Sequence, residues 1–308
     1  MSAISPNKSG HVDPWGAFAV AAAAMLFAAK GIFAKKLYAQ GLSFEGVVAI
    51  RAMISLPLFW WFALRRESLS TITTTPPRAI LVAAFAGALS YYAGALLDFL
   101  ALTMIDASIE RVLIFSYPAM VVIFTSVRDW RWPERRVLAA TLLAYLGVFL
   151  TMGGFDLAEL RANLLGALLV IGSALSYAIY FMVSETYTRS VGSARFTLIA
   201  MTAATACLVP HYFLIGGLYE MTTIEPSGWW LLIGIAMFCM FLPASLQAEG
   251  VRRIGAERGA VLSSVGPPTT VLLAFTLLEE RLSAWQWAGM ALIVLGILVL
   301  DLARTRKP

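Results

Sequence analysis

Runs of about twenty residues almost free of charge follow one another along nearly the whole chain, and they leave few folds open. Ten can be read, roughly Pro14–Ala34, Phe44–Leu64, Ala79–Leu102, Ala107–Val127, Val137–Met152, Leu165–Glu185, Arg195–Leu218, Gly228–Gln247, Ala256–Leu277 and Ala284–Asp301. A helix of that length spans the hydrocarbon of a bilayer. Only 13% of the 308 residues are charged and 60% are hydrophobic, too little polarity to cover a surface facing water. The period-two alternation of a membrane barrel is absent. The expected fold is therefore an all-α integral membrane protein of ten transmembrane helices, with the lipid bilayer as its main surroundings.

The bases decide the orientation. With the N-terminus inside, 16 of the 23 lysines and arginines fall on the inner side and 5, including Arg111, outside, while Lys30 and Arg51 lie within runs. By the positive-inside rule both termini are cytoplasmic. The same clustering between apolar runs argues against nucleic acid as a partner, despite the formal charge of +5. Residues 1–13 form a polar leader without the basic, apolar and small-residue zones of a signal peptide, so the first run is expected to persist in the mature protein. Residues 303–308 form a basic tail. The expected location is a cell's inner (plasma) membrane; monomer is plausible, and nothing in the sequence fixes the oligomeric state.

The chain repeats. Ala107 matches Ala256, Pro118 matches Pro267 and Gly147 matches Gly296, each pair 149 positions apart, and "WGAF" at Trp15 parallels "LGAL" at Leu165 at a separation of 150. The repeat units are residues 14–152 and 164–302. Five spans is an odd number, so the second copy would lie upside down relative to the first: two inverted five-helix repeats, an architecture of secondary transporters.

These residues resemble the drug/metabolite transporter superfamily in its EamA-type branch. "AIRAMISLPL" (Ala49–Leu58) is similar to that family's second span with its embedded arginine. "VLSSVGPPTTVLLAF" (Val261–Phe275) resembles its proline-containing ninth span, and "LLEERLSAWQWAGMALIVLGILVL" (Leu277–Leu300) its closing pattern. One departure is Arg131, which stands where the second copy has Glu280. The resemblance implies a secondary transporter that exports small organic solutes by alternating access around a central cavity. Within the superfamily the overall similarity and the tyrosine-rich third span look most like exporters of aromatic amino acids, methionine and similar solutes. A multidrug or other metabolite exporter of the same fold is the alternative. A membrane enzyme or assembly subunit is the reading from another class.

Catalytic residues are not visible: there is no nucleophile elbow, no HExxH and no phosphate-binding Gly-rich loop, so no enzyme is expected. Cys207 and Cys239 sit in apolar runs and read as small buried hydrophobes; with His11 and His211 apart, neither a metal nor another cofactor is expected.

Substrate contacts are sought where polarity enters the spans. At 1.5 Å per residue Lys30 lies about 24 Å from the start of the first run, in the outer third of the bilayer. Arg51, Asp98 and Glu110 fall at the same depth and read as gate or structural charges. Three roles are open to Lys30: snorkelling to the outer interface, ion pairing in a gate, or contact with a substrate carboxylate. On the inner side Glu249, with Glu185, Arg195 and Arg252, is either a matching gate or ordinary loop charge.

Near the midplane Phe27, Tyr91, Tyr92, Tyr177, Tyr180, Ser263 and Ser264 are candidate substrate contacts, the aromatic ones also explicable as packing. Pro118, Pro267 and Pro268 are candidate helix breaks, freeing backbone carbonyls. Trp60, Trp61, Trp229 and Trp230 read as interfacial anchors. No carboxylate stands alone at the midplane, which favours a facilitator driven by the solute's own gradient over proton coupling.

Overall fold

In lipid every backbone N–H and C=O must find its partner within the protein, and this chain meets that demand with helices. The computed structural model describes residues 13–66, 74–128, 135–151, 156–254, 262 and 265–304. The described helices are α1 (Pro14–Ala28), α2 (Lys30–Ala39), α3 (Phe44–Arg66), α4 (Pro77–Gly87), α5 (Ala95–Ala101), α6 (Ala107–Ile114), α7 (Tyr117–Arg128), α8 (Arg135–Thr151), α9 (Leu157–Val191), α10 (Ser193–Leu214), α11 (Gly217–Thr223), α12 (Pro226–Ala236), α13 (Leu242–Ile254), α14 (Gly266–Leu277) and α15 (Ala284–Arg304). A π-helical turn, Ala88–Gly94, joins α4 to α5, and another, Met237–Phe241, joins α12 to α13.

Among the described residues six helical stretches are long and apolar enough to cross a membrane: Pro14–Ala39, Phe44–Arg65, Pro77–Ala101, Leu157–Ser184, Ala194–Leu214 and Pro226–Gln247. Gly266–Leu277 and Ala284–Gly296 are shorter apolar helices. Of the ten expected runs, then, six are met by full-length helices. The fourth falls on α6 and α7, the fifth on α8, and the ninth and tenth on α14 and α15.

Burial is inverted relative to a protein in water. Leu81, Leu214, Trp230 and Leu272 are largely exposed, whereas Arg51, Asp98 and Glu110 are buried. Apolar side chains facing outward suit a hydrocarbon solvent, and ionisable groups turn inward to find partners.

The packing maps onto itself when the halves are exchanged. Helix α1 packs on α13 and α14, as α9 packs on α4, α5, α6 and α7. The pairs α3–α10 and α8–α15 join helices at matching places along the repeat, and α6 packs on α14. Boundaries repeat as well: α7 and α14 begin and end 149 positions apart, as do the starts of α8 and α15. Both π turns fall at that offset too, the first beginning at Ala88 and the second at Met237.

Some boundaries differ from the sequence reading. The Phe155–Asn163 connection is helix from Leu157, because Asp156 caps it, accepting from the N–H groups of Ala158 at 2.9 Å and Glu159 at 3.1 Å. Helix α9 then runs through Glu185 and stops at Gly192, whose φ of +91° suits glycine. The Tyr219–Ser227 connection contains α11, entered through the left-handed Gly216. The fourth run breaks at Phe115–Ser116, and Pro118 sits in the first turn of the resumed helix, where a proline's missing N–H has no intrahelical role. Pro267 and Pro268 occupy the same place in α14. Ser263 and Ser264 lie outside the described residues.

The first run breaks too, at Ala29, where ψ falls to −8°. The carbonyl of Ala28 is met there by the Thr270 hydroxyl of α14, which donates at 3.1 Å. Lys30 is the first residue beyond that break.

Candidate functional site

Five ionisable side chains from four helices converge beside this break. Lys30 begins α2, Arg51 lies in α3, Asp98 in α5, and Glu110 and Arg111 in α6. The Lys30 ammonium donates to Asp98 Oδ2 and, at 3.0 Å, to Glu110 Oε1. Glu110 is 1% exposed and Asp98 3%. Lys30 also lies 5.4 Å from the centroid of the Phe99 ring, and the Arg51 guanidinium 4.1 Å from it, so one ring lies within cation–π reach of both cations. The Tyr38 hydroxyl donates to the Phe99 carbonyl at 2.9 Å, tying α2 to α5.

Arg111 was expected among the outer loop charges. Its Nε is instead buried, and its guanidinium lies 5.1 Å from the Phe115 ring. A Cβ at Gly266 of α14 would come within 3.0 Å of its Nη2, so the absence of a side chain there makes room for the arginine. Sequence offered one signal: an arginine directly after an acid, both inside the first turns of an apolar run.

The tyrosines divide. Tyr91, in the first π turn, meets Tyr180 edge-on at 5.0 Å and Tyr177 at 6.3 Å, and Tyr117 lies 6.5 Å from Tyr177. Tyr177 is in electrostatic reach of Lys30, Asp98, Arg51 and Arg111, so it joins the aromatic wall to the charged cluster. Tyr92 faces elsewhere: its hydroxyl shares a 3.3 Å hydrogen bond with His211 Nδ1 and its ring packs in the α2–α3–α10 core. Phe27 is half-buried near the end of α1. Glu249 accepts from Arg253 at 2.8 Å, and Arg253 also reaches Asp13 at 3.3 Å, tying α13 to the start of α1 through exposed groups.

A second set of charges lies beyond α5. The Glu280 carboxylate caps α6, accepting from the Ala107 N–H at 2.9 Å, the Ser108 N–H at 3.1 Å and the Ser108 hydroxyl at 2.8 Å. Lys35 approaches Glu280 at 3.3 Å and Asp106 at 3.5 Å. Burial and the neighbouring Glu280 raise the Asp106 pKa above the ordinary aspartate value, with Lys35 opposing them. Glu220 likewise holds the start of α3, accepting from the Ser43 hydroxyl at 2.9 Å. Capping by a carboxylate 172 residues away has no local sequence signal.

Glu280→Gln should lower stability by about 1 kcal/mol, because two orphan N–H donors at a positive helix end lose their anion. Thermal unfolding in detergent would measure it. The exposed Glu279→Gln is the control and should leave the midpoint in place.

Among the described residues no group of three or more His, Cys, Asp or Glu could hold a metal ion.

The EamA-like transporter family model matches the chain twice, over residues 14–153 and 164–301. The uncharacterized transporter YcbK of Bacillus subtilis (strain 168) is 32% identical over 273 residues, covering 85% of each chain. The uncharacterized inner membrane transporter YicL of Salmonella typhimurium is 23% identical over 296 residues, 95% of this chain and 97% of its own. A solved crystal structure superposes with a TM-score of 0.63 over 95% of this chain and 99% of that one, at 17% identity, and so shares the fold. With a family model covering most of the sequence and a 32% identical relative over most of its length, the chain belongs to the EamA-like transporter family and is a multi-pass membrane transporter.

Proposed function

We propose that this transporter exports small organic solutes, amino acids foremost (aromatic residues, methionine and similar), by alternating access. The two halves, residues 14–152 and 164–302, are inverted repeats that rock about a central path. The membrane is a bacterial inner membrane, the location named for YicL, with both termini cytoplasmic.

The observation that carries the cargo reading is the junction at Tyr177. On one side stand the rings of Tyr91, Tyr180 and Tyr117, and on the other the charges of Lys30, Arg51, Asp98 and Arg111. An apolar or aromatic amino acid offers the same pair of properties, a ring or thioether beside charged groups. Driving force is the solute's own gradient: both buried carboxylates already hold Lys30, so neither stands alone to carry protons. A multidrug exporter is the competing cargo reading, and it calls for net negative charge at the site.

Purified protein in liposomes tests this. Labelled phenylalanine or methionine should enter with saturation and without a pH gradient, against protein-free vesicles. Uptake that appears only with a pH gradient would overturn the facilitator reading. Tyr91→Ala should raise the half-saturating concentration of phenylalanine about three- to ten-fold, the worth of one aromatic contact. Tyr92→Ala, whose ring packs on His211, should leave it unchanged.

A further inference from the structure

We infer that the guanidiniums of Arg51 and Arg111 receive a carboxylate of the transported solute, and that this carboxylate, rather than an amine, is the group the site requires. The inference rests on the proposed cargo reading and deepens it by naming the recognised group.

Three observations carry it. The first is the balance of charge. Lys30, Arg51 and Arg111 face Asp98 and Glu110, three cations against two carboxylates, inside a bundle whose outer surface is apolar. Net charge in such surroundings is costly until a counter-charge arrives.

The second is how the partners are divided. Lys30 engages one oxygen of each carboxylate, and among the described residues no ion pair reaches either arginine. Arg51 is 8% exposed, and among the described residues its Nε has no hydrogen-bond partner; the Nε of Arg111 has none either. A buried donor left unmatched is destabilising by about 1–3 kcal/mol, so protein interiors rarely keep two without a reason.

The third is position. Arg51 stacks on Phe99, and Arg111 extends toward the start of α14 past Gly266, so the two guanidiniums come from α3 and α6. Tyr177 lies in electrostatic reach of both. A planar guanidinium fork matches a carboxylate better than an ammonium does, and the lysine is already engaged. The substrate contact weighed above for Lys30 therefore passes to the arginines, and Lys30 becomes the group that bridges Asp98 and Glu110.

The test uses the full chain in detergent and reads the ligand-induced rise in thermal midpoint as a function of concentration. Four probes separate the chemistry: phenylalanine, 3-phenylpropionate (no amine), phenethylamine (no carboxylate) and succinate (no ring). The expected result is that phenylalanine and phenylpropionate shift the midpoint and phenethylamine does not. Arg51→Gln should weaken the two carboxylate ligands about ten-fold or more, the loss of one charge-assisted hydrogen bond. The same variant without ligand should be at least as stable as the parent, because it removes an uncompensated cation. Where Arg51→Gln does not fold, Arg111→Gln carries the same comparison.

Phenethylamine binding as tightly as phenylalanine would overturn the inference and favour a cationic drug-like cargo. Succinate binding in an Arg51-dependent way, with no response to the three aromatic probes, would uphold the carboxylate site and overturn the aromatic cargo. No response to any carboxylate would overturn the inference outright.

Discussion

Lys30→Met should be the most damaging single substitution in the molecule. It would leave the buried carboxylates of Asp98 and Glu110 facing each other without the cation that bridges them. Breaking a buried ion pair by removing one partner destabilises by about 3–5 kcal/mol, well above what an exposed pair contributes. The expected reading is a large drop in thermal midpoint, or no monodisperse protein at all. The triple variant Lys30→Met, Asp98→Asn, Glu110→Gln should recover much of that loss, since neutral amides need no counter-charge. A fully stable Lys30→Met would mean that the amine merely reaches toward the interface along its methylenes. The geometry opposes that, because the Lys30 side chain is only 13% exposed and ends on both carboxylates.

The second large effect is expected where the last described helices of the two halves cross. A Cβ at Gly289 of α15 would come within 2.5 Å of Gly147 O, Thr151 N and Thr151 Oγ1 of α8. A Cβ at Gly147 would in turn meet Gly289 O at 2.7 Å and Ile293 Cγ1 at 2.6 Å. Three of these five atoms are backbone, which cannot swing aside as a side chain can. The Thr151 hydroxyl is also held, donating to Gly147 O at 2.8 Å. Helices in lipid associate through such close contact between small residues, without water to drive them together. Gly289→Val should therefore cost about 1–3 kcal/mol and lower the thermal midpoint by several degrees. Ala288→Val, one position away on the exposed side, should change neither stability nor uptake.

The fold class was legible because long uncharged runs leave a chain no other solvent than lipid, and the family pattern was legible in the second and last spans. Depth set Lys30, Asp98 and Glu110 at one height and made ion pairing one of three readings of the lysine, and the structure brings the three side chains together. Arg111 was misplaced because a charge near the end of an apolar run counts equally well as a loop residue. Only the packing of α6 against α14 shows that it points inward. Which of Tyr91 and Tyr92 faces the cluster was also out of reach. Adjacent residues stand about 100° apart around a helix, so the two could not share one face, but which of them turns to the Tyr177 side depends on a π turn that shifts the local phase. Capping of α3 by Glu220 and of α6 by Glu280 joins residues more than 170 positions apart, beyond any local pattern.

The π turn has a consequence for how this sequence can change over time. Each residue of an α-helix advances the helix face by about 100°, and a π turn accommodates one residue more than the α-helical turn it replaces. Ala88–Gly94 therefore sets the phase of everything after it in the third span, Asp98 included. Deleting a single residue within the turn would remove the extra residue and leave the later phase nearly as it was, whereas deleting one between the turn and Asp98 would keep the span apolar and long enough for the bilayer. It would also swing Asp98 about a quarter-turn away from Lys30. By hydropathy the shortened chain would look intact, yet it would have lost the partner that its buried lysine needs. In this protein, length between landmarks is as much a part of the site as the residues themselves.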